Sequence, residues 1–158
     1  MIQATRDNDE DHTLNYIYVN IYDLMTSLDY KPLVNLVSNQ TGKNYSFIPT
    51  EIDDVTYPSY SYGSNKTRYT KMTYRILKNS SGENQLAGHI YLGDERTPYG
   101  FYDVTIYQNK SNSNLDIAEA IKILYKGIFN FKAVNNNAVT YSEYTTNDSD
   151  TESVYITN

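Results

Sequence analysis

Apolar and polar residues alternate with a period of two along most of this chain. The alternation is clearest over residues 13–24, where Ile17, Val19 and Ile21 occupy one set of alternate positions and tyrosines occupy the other. Successive side chains of a β-strand point to opposite faces, so this pattern predicts a strand that buries one face and exposes its tyrosines. The tyrosines on the exposed face are Tyr16, Tyr18 and Tyr22.

The same alternation predicts further strands in the rest of the chain. Residues 33–38 and 43–50 are typical of a hairpin, because the connection from Asn39 to Gly42 supplies turn residues and a glycine that is free to adopt a positive φ. The other predicted strands are residues 1–5 at a sheet edge, 68–78, 86–92, 101–108, 121–132, 139–145 and 153–157.

Three segments need an interpretation of their own. Residues 51–67 contain Asp53-Asp54 and Pro58, and we expect them to form a long ordered loop. Residues 116–120 favour one helical turn, because alanine and glutamate are good helix formers. In residues 121–132 the alternation resumes and predicts a core-facing set of Ile121, Ile123, Tyr125, Phe129 and Phe131.

Strands that recur about every 8–12 residues, without long helical patterns, are typical of a β-sandwich or barrel. The sequence therefore predicts one all-β domain, an antiparallel β-sandwich with at most one short helical turn. We assign residues 1–146 to this domain. Residues 147–158 are predicted to be a C-terminal arm or a terminal strand.

Composition narrows the function classes. The chain has 158 residues, with 18 Tyr, no Trp, no Cys and a net charge of −6. The absence of cysteine excludes disulfides and thiolate chemistry. The acidic balance argues against binding to nucleic acid or to an anionic membrane. The N-terminus lacks the apolar stretch of a secretion signal, so we expect synthesis in a cytoplasm without export.

Titratable residues give no pattern that indicates catalysis. The acidic run from Asp7 to His12 fails the calcium-loop pattern, which needs glycine at the sixth position and glutamate at the twelfth. No nucleophile elbow accompanies His12 or His89. A glycosidase needs two carboxylates that face each other across a cleft. The candidates for such a pair in this sequence are Glu51, Asp53 and Asp103. We predict a protein that is not an enzyme, with no catalytic, cofactor or metal residues.

Tyrosines are the candidate binding residues. Four of them lie close together in sequence and are able either to stack on sugar rings or to anchor a protein interface, where tyrosine is enriched. The interface reading fits better, because carbohydrate platforms usually rely on tryptophan. These candidates are Tyr57, Tyr60, Tyr62 and Tyr69, with Val154, Tyr155 and Ile156 added from the C-terminal strand.

Three stretches together resemble a known group of proteins. The chain resembles small virion proteins of tailed bacteriophages that infect Bacteroidetes-type hosts, including crAss-like phages. The stretches are Met1-Ile-Gln-Ala-Thr-Arg, then Leu36-Val-Ser-Asn-Gln-Thr-Gly-Lys with Phe47-Ile-Pro, Tyr57-Pro and Arg68-Tyr69, and finally Tyr99-Gly-Phe-Tyr-Asp-Val-Thr-Ile-Tyr-Gln-Asn with Ser113-Asn-Leu-Asp and Leu124-Tyr-Lys-Gly.

This resemblance implies a β-sandwich subunit of a virion, with an immunoglobulin-like arrangement as one form of it. The expected role is a capsid auxiliary or decoration subunit, and the alternatives are a neck or tail subunit and a receptor- or glycan-binding module. The expected partners are other virion proteins and copies of the chain itself, with assembly in the host bacterial cytoplasm. The C-terminal strand pairs either with its own sheet or with an adjacent subunit.

Overall fold

The computed structural model describes residues 1–21, 24–27, 29–57 and 67–134, and it describes the backbone alone for residues 54–57 and 67–68. These residues form nine strands and short 3-10 turns, and no α-helix lies among them. The strands are β1 (Ile2–Asp7), β2 (His12–Val19), β3 (Leu33–Ser38), β4 (Asn44–Phe47), β5 (Glu51–Tyr57), β6 (Thr67–Leu77), β7 (His89–Ile90), β8 (Gly100–Gln108) and β9 (Lys122–Val134).

The strands form two sheets. One has five strands in the order β1-β9-β8-β3-β4, and the other has the order β2-β6-β5 with β7 paired to β6. Most neighbours are antiparallel, but β1 pairs with β9 and β6 with β7 in parallel. The predicted all-β class is therefore confirmed, and the sheets are mixed where purely antiparallel ones were expected.

One apolar core lies between the two sheets. Both contribute fully buried side chains, such as Ile17 and Met72 from the four-stranded sheet and Val104 and Phe129 from the five-stranded sheet. Ring contacts tighten this core, since the Tyr102 and Phe129 rings meet edge to face with centroids 5.9 Å apart. The arrangement is sandwich-like, because each sheet buries one face against the other.

Several predicted elements are confirmed. β3 spans the predicted residues, and it forms a hairpin with β4 in which Gly42 has a φ of +67°. The predicted helical turn is a 3-10 turn at Ile117–Glu119, and the Asp116 side chain accepts a hydrogen bond of 2.9 Å from the Ala118 N–H. The predicted strand at residues 1–5 is β1, which lies at the edge of its sheet.

The expectation of a loop over residues 51–67 was wrong for its first part. Residues Glu51–Tyr57 form β5, which pairs with β6 and places Ile52 opposite Met72. The acidic pair Asp53-Asp54 has poor strand propensity, but a neighbouring strand that satisfies the backbone outweighs that preference. The predicted strand at residues 86–92 is reduced to the two residues of β7, because a 3-10 turn at Gln85–Ala87 and the positive φ of Gly88 precede it.

The inward-facing set predicted for residues 121–132 was also partly wrong. Tyr125 lies opposite Ile106 but Ile123 lies opposite Tyr107, so the ladder skips Leu124. A bulge of one residue reverses the inward and outward positions on one side of it. Leu124 is consequently buried, whereas Ile121 and Ile123 are about half exposed.

The bulge predicts unequal losses of stability for substitutions at two neighbouring residues. We expect Leu124→Ala to lower the free energy of unfolding by about 2–4 kcal/mol, because it removes a buried side chain. Ile123→Ala should lower it by no more than about 1 kcal/mol, because that side chain faces outward. Denaturant unfolding of the two variants measures both values, and a larger cost for Ile123→Ala would show that the register is wrong.

The side chain of Asn15 links the edges of the two sheets through two hydrogen bonds. Asn15 of β2 is buried, and its amide oxygen accepts from the Thr5 N–H while its amide nitrogen donates to the Thr5 carbonyl, both at 2.8 Å. This amide therefore occupies the place that a neighbouring strand would take beside β1. The hydroxyl of Thr13 accepts a further bond of 2.6 Å from the Asp7 N–H.

Removing this link should destabilise the fold. We expect Asn15→Ala to lower the free energy of unfolding by about 2 kcal/mol, because two part-buried backbone groups of Thr5 lose their partners. The matched control is Asn20→Ala, an exposed asparagine just beyond β2, which should change it by about 0.5 kcal/mol or less. Equal costs for the two variants in denaturant unfolding would contradict the role given to Asn15.

Candidate functional site

Exposed apolar side chains lie along the outer face of the five-stranded sheet, and a further one lies just before β9; together we call them the aliphatic face. Its members are exposed to between 47% and 54%. Isolated exposed apolar residues are ordinary, but several on one sheet face are typical of a surface that contacts another molecule. The aliphatic face consists of Phe101, Ile121, Ile123 and Ile128.

Strand alternation and the bulge together create this face. The inward set of β8 begins with Tyr102, so Phe101 points outward. Ile128 of β9 lies opposite Asp103 of β8, and half-buried Val37 of β3 lies on the other side of Asp103. An apolar surface with interspersed charges of this kind combines contact area with a means of fixing orientation.

A second apolar surface lies where β1 meets β2, and we call it the tyrosine groove. Its cavity measures about 470 Å³, and its wall on the β2 side comes from Leu14, Tyr16 and Tyr18. These three residues occupy the exposed positions of β2, as the alternation predicted for both tyrosines. The ammonium of Lys71 lies 4.6 Å from the centroid of the Tyr16 ring, a cation–π contact that holds this ring in place.

A third concave surface is polar and lies beside β4, at the opposite edge of the five-stranded sheet. This cleft measures about 460 Å³, and Tyr45, Tyr91, Glu83 and Arg96 are among its lining residues. The Tyr45 hydroxyl donates to the Glu83 carboxylate and accepts from the Tyr91 N–H at 3.2 Å. Burial, and then the hydrogen bond to Glu83, raise the pKa of Tyr45 above its usual range.

Two of the predicted binding tyrosines lie on adjacent strands, β5 and β6, within the described residues. Tyr69 is 37% exposed and lies on β6 opposite Val55. The backbone of Tyr57 ends β5, opposite Thr67. The other five candidates, which are Tyr60, Tyr62, Val154, Tyr155 and Ile156, lie outside the described residues.

The titratable residues considered for catalysis are dispersed. His12 begins β2 and is exposed, and His89 is half-buried in β7. Asp103 is exposed on β8, in the other sheet from Glu51 and Asp53 of β5. Over residues 1–57 and 67–134, apart from the three positions not described there, no three histidines or carboxylates are grouped to hold a metal. That same part of the chain has no helix long and apolar enough to cross a bilayer.

The sequence contained a signal for part of the aliphatic face. Phe101 directly precedes the inward set of β8, so the alternation that predicted the strand also placed Phe101 outside. The outward position of Ile128 follows in the same way from the predicted inward position of its neighbour Phe129. Ile121 and Ile123 carried no such signal, because their outward position depends on the bulge.

Comparison of the chain with protein-family models, with curated proteins and with solved structures found no match. Functional conclusions therefore depend on the chemistry of its residues and on the surfaces that the two sheets present.

Proposed function

We propose that this chain is a non-enzymatic structural protein of a tailed-bacteriophage virion, an auxiliary subunit that decorates or reinforces the capsid. The observation that carries this proposal is the aliphatic face. A position in the neck or the tail is the alternative within the same class. In each case the protein acts through contacts with neighbouring protein subunits.

The composition of the aliphatic face supports a protein neighbour as its partner. Four large apolar side chains that remain about half exposed leave apolar surface in contact with water. Covering such a surface is favourable by about 25 cal/mol for each Å² that is buried. Asp103 and Lys126 lie among these side chains, and charges at such positions fix the relative orientation of two proteins.

The phage resemblance supports the same site. Its most specific stretch, residues 99–109, forms β8 and contains Phe101. Its final part, residues 124–127, forms the bulged region of β9 that turns Ile123 outward. The stretches that carry the resemblance thus contain Phe101 of the aliphatic face and the bulge that turns Ile123 outward.

We further propose that the domain is immunoglobulin-like. In an immunoglobulin domain, strands B, E and D lie in one sheet and strands C, F and G in the other. Assigning B to β2, C to β3, D to β5, E to β6, F to β8 and G to β9 gives the sheet orders B-E-D and G-F-C, and β4 then takes the place of C′.

A hydrogen bond near the start of β8 also supports the immunoglobulin-like proposal. Immunoglobulin domains contain a tyrosine near the start of strand F whose hydroxyl bonds to the backbone a few residues upstream. Tyr102 occupies the corresponding place in β8, and its hydroxyl donates to the carbonyl of Pro98.

Localisation on purified particles tests the virion proposal. We expect an antibody to this chain, used in immunogold electron microscopy, to label the whole head surface. Label at one vertex or along the tail would assign the protein to the neck or tail, and absence from particles would overturn the proposal.

A paired substitution tests whether the aliphatic face makes the contact. We expect Phe101→Lys with Ile128→Lys to reduce incorporation into particles at least several-fold, because two charges would then lie in the apolar contact. The matched control is Leu86→Lys, which alters a similarly exposed residue away from this face. Equal incorporation of the two variants, measured by quantitative immunoblotting of purified particles, would contradict this site.

The polar cleft favours a second candidate function, a glycan-binding module. Tyr45 and Tyr91 offer ring faces, while Glu83 and Arg96 offer an acceptor and donors for sugar hydroxyls. The described residues that line this cleft come from outside residues 57–69, where the sequence predicted a sugar site. Saturable glycan binding by a protein absent from particles would favour this second function.

A further inference from the structure

We propose that the tyrosine groove and the adjoining edge of β1 bind an extended strand, and that this strand is residues 153–157 of the same chain. The site is separate from the aliphatic face. The inference therefore does not depend on the virion proposal, and it would hold for a glycan-binding protein as well.

The backbone of β1 provides the first part of the argument. The Thr5 N–H and carbonyl, and the Asp7 N–H, all bond to side chains of β2, so the odd-numbered residues of β1 direct these groups away from β9. Gln3 is also an odd-numbered residue of β1, so its N–H and carbonyl point to the same edge, away from β9. Among the residues that the structure describes, neither group has a hydrogen-bond partner.

The edge of β1 is thus divided into two parts. From Thr5 to Asp7 it is closed by the side chains of Asn15 and Thr13, but at Gln3 none of the described residues covers it. An open edge with a free N–H and carbonyl is the feature to which extended peptides add as a further strand. The closed part limits the added strand to the N-terminal end of β1.

The tyrosine groove provides the second part, because it lies beside the open end of the edge. Its lining combines Gln3 with the exposed apolar residues Met1, Leu14, Tyr16 and Tyr18. A strand added to β1 would direct alternate side chains to the side of Ile2 and Ala4, toward β2. Apolar side chains at those positions would cover the groove.

The sequence of the proposed occupant matches this requirement. Residues 153–157 read Ser-Val-Tyr-Ile-Thr, with an aliphatic side chain at every second position. Val154 and Ile156 would face the groove, and Tyr155 would lie on the outer side next to Gln3. All five residues favour strand or tolerate an edge position, and none is proline.

Chain geometry favours a strand from the same molecule. β9 ends at Val134 opposite Asp7, so the chain leaves the sheet beside the closed end of β1. To reach Gln3, the chain must return along β1 by four residues, which is about 13 Å at roughly 3.3 Å for each residue. The connecting residues 135–152 number 18, and a chain of that length spans at most about 60 Å when fully extended, more than this return requires.

This reach favours the C-terminal strand of the same molecule as the donor. A tether long enough to span its two sites raises the effective concentration of the attached strand above that of a second copy in dilute solution. The strand of the same molecule therefore competes successfully at micromolar protein. A second copy is the other donor, and the two donors are distinguished by whether paired cysteines form a disulfide within one molecule or between two.

Paired cysteines test the proposal on the full chain, because the natural sequence contains no cysteine to interfere. Gln3→Cys is combined in turn with Val154→Cys, Tyr155→Cys and Ile156→Cys, and each protein is oxidised at micromolar concentration. Side chains on the same side of adjacent strands are close enough for a disulfide, whereas those on opposite sides are not. We expect the Tyr155→Cys pair to form a disulfide within one molecule several-fold faster than the other two pairs.

The control pairs Tyr155→Cys with Lys43→Cys, an exposed position in the hairpin between β3 and β4. This pair should remain reduced under the same conditions. Equal rates at positions 154, 155 and 156, or a rate for the Tyr155→Cys pair no higher than that of the control, would overturn the proposal. Disulfide-linked dimers in place of monomers would overturn the same-molecule donor and identify a second copy as the source of the strand.

Discussion

The side-chain amide of Asn15 takes the place of a strand, and the relation between the two sheets depends on it. β1 belongs to the five-stranded sheet through β9, yet its other edge is satisfied by Asn15 from the four-stranded sheet. A backbone edge within a protein must find partners, and here a buried polar side chain provides them without adding a strand. The length of this closure determines where the edge becomes open, and hence where the tyrosine groove can receive another segment.

The outward positions of the apolar residues support the proposal that this protein acts through contacts. Strand alternation exposes Tyr16 and Tyr18 on β2 and Phe101 on β8, and the bulge at Leu124 adds Ile121 and Ile123 to the outer surface. The aliphatic face lies on the five-stranded sheet, and the tyrosine groove lies where β1 of that sheet meets β2 of the other. On this account one of them binds a neighbouring protein and the other binds the chain's own C-terminal strand.

Much of this fold could be predicted from the sequence, because a half-buried strand repeats its pattern every two residues. β2, β3, β6 and β8 follow from alternation alone, and so do the exposed tyrosines of β2. β5 and the bulge could not be predicted, because pairing with β6 stabilises the first and a single skipped residue opposite β8 defines the second. For the same reason only part of the aliphatic face could be predicted. The outward positions of Phe101 and Ile128 follow from strand alternation, while those of Ile121 and Ile123 depend on the bulge.

Amide hydrogen exchange along β1 tests the division of its edge most directly. In the full chain the account predicts slow exchange at the Thr5 amide, which Asn15 holds, and at the Gln3 amide, which the C-terminal strand would cover. In a full-length Val154→Lys, Ile156→Lys variant, Thr5 should stay slow and Gln3 should exchange much faster. Fast exchange at Thr5 in the natural chain would contradict the closure by Asn15, and a Gln3 rate that is equal in both proteins would contradict the bound strand.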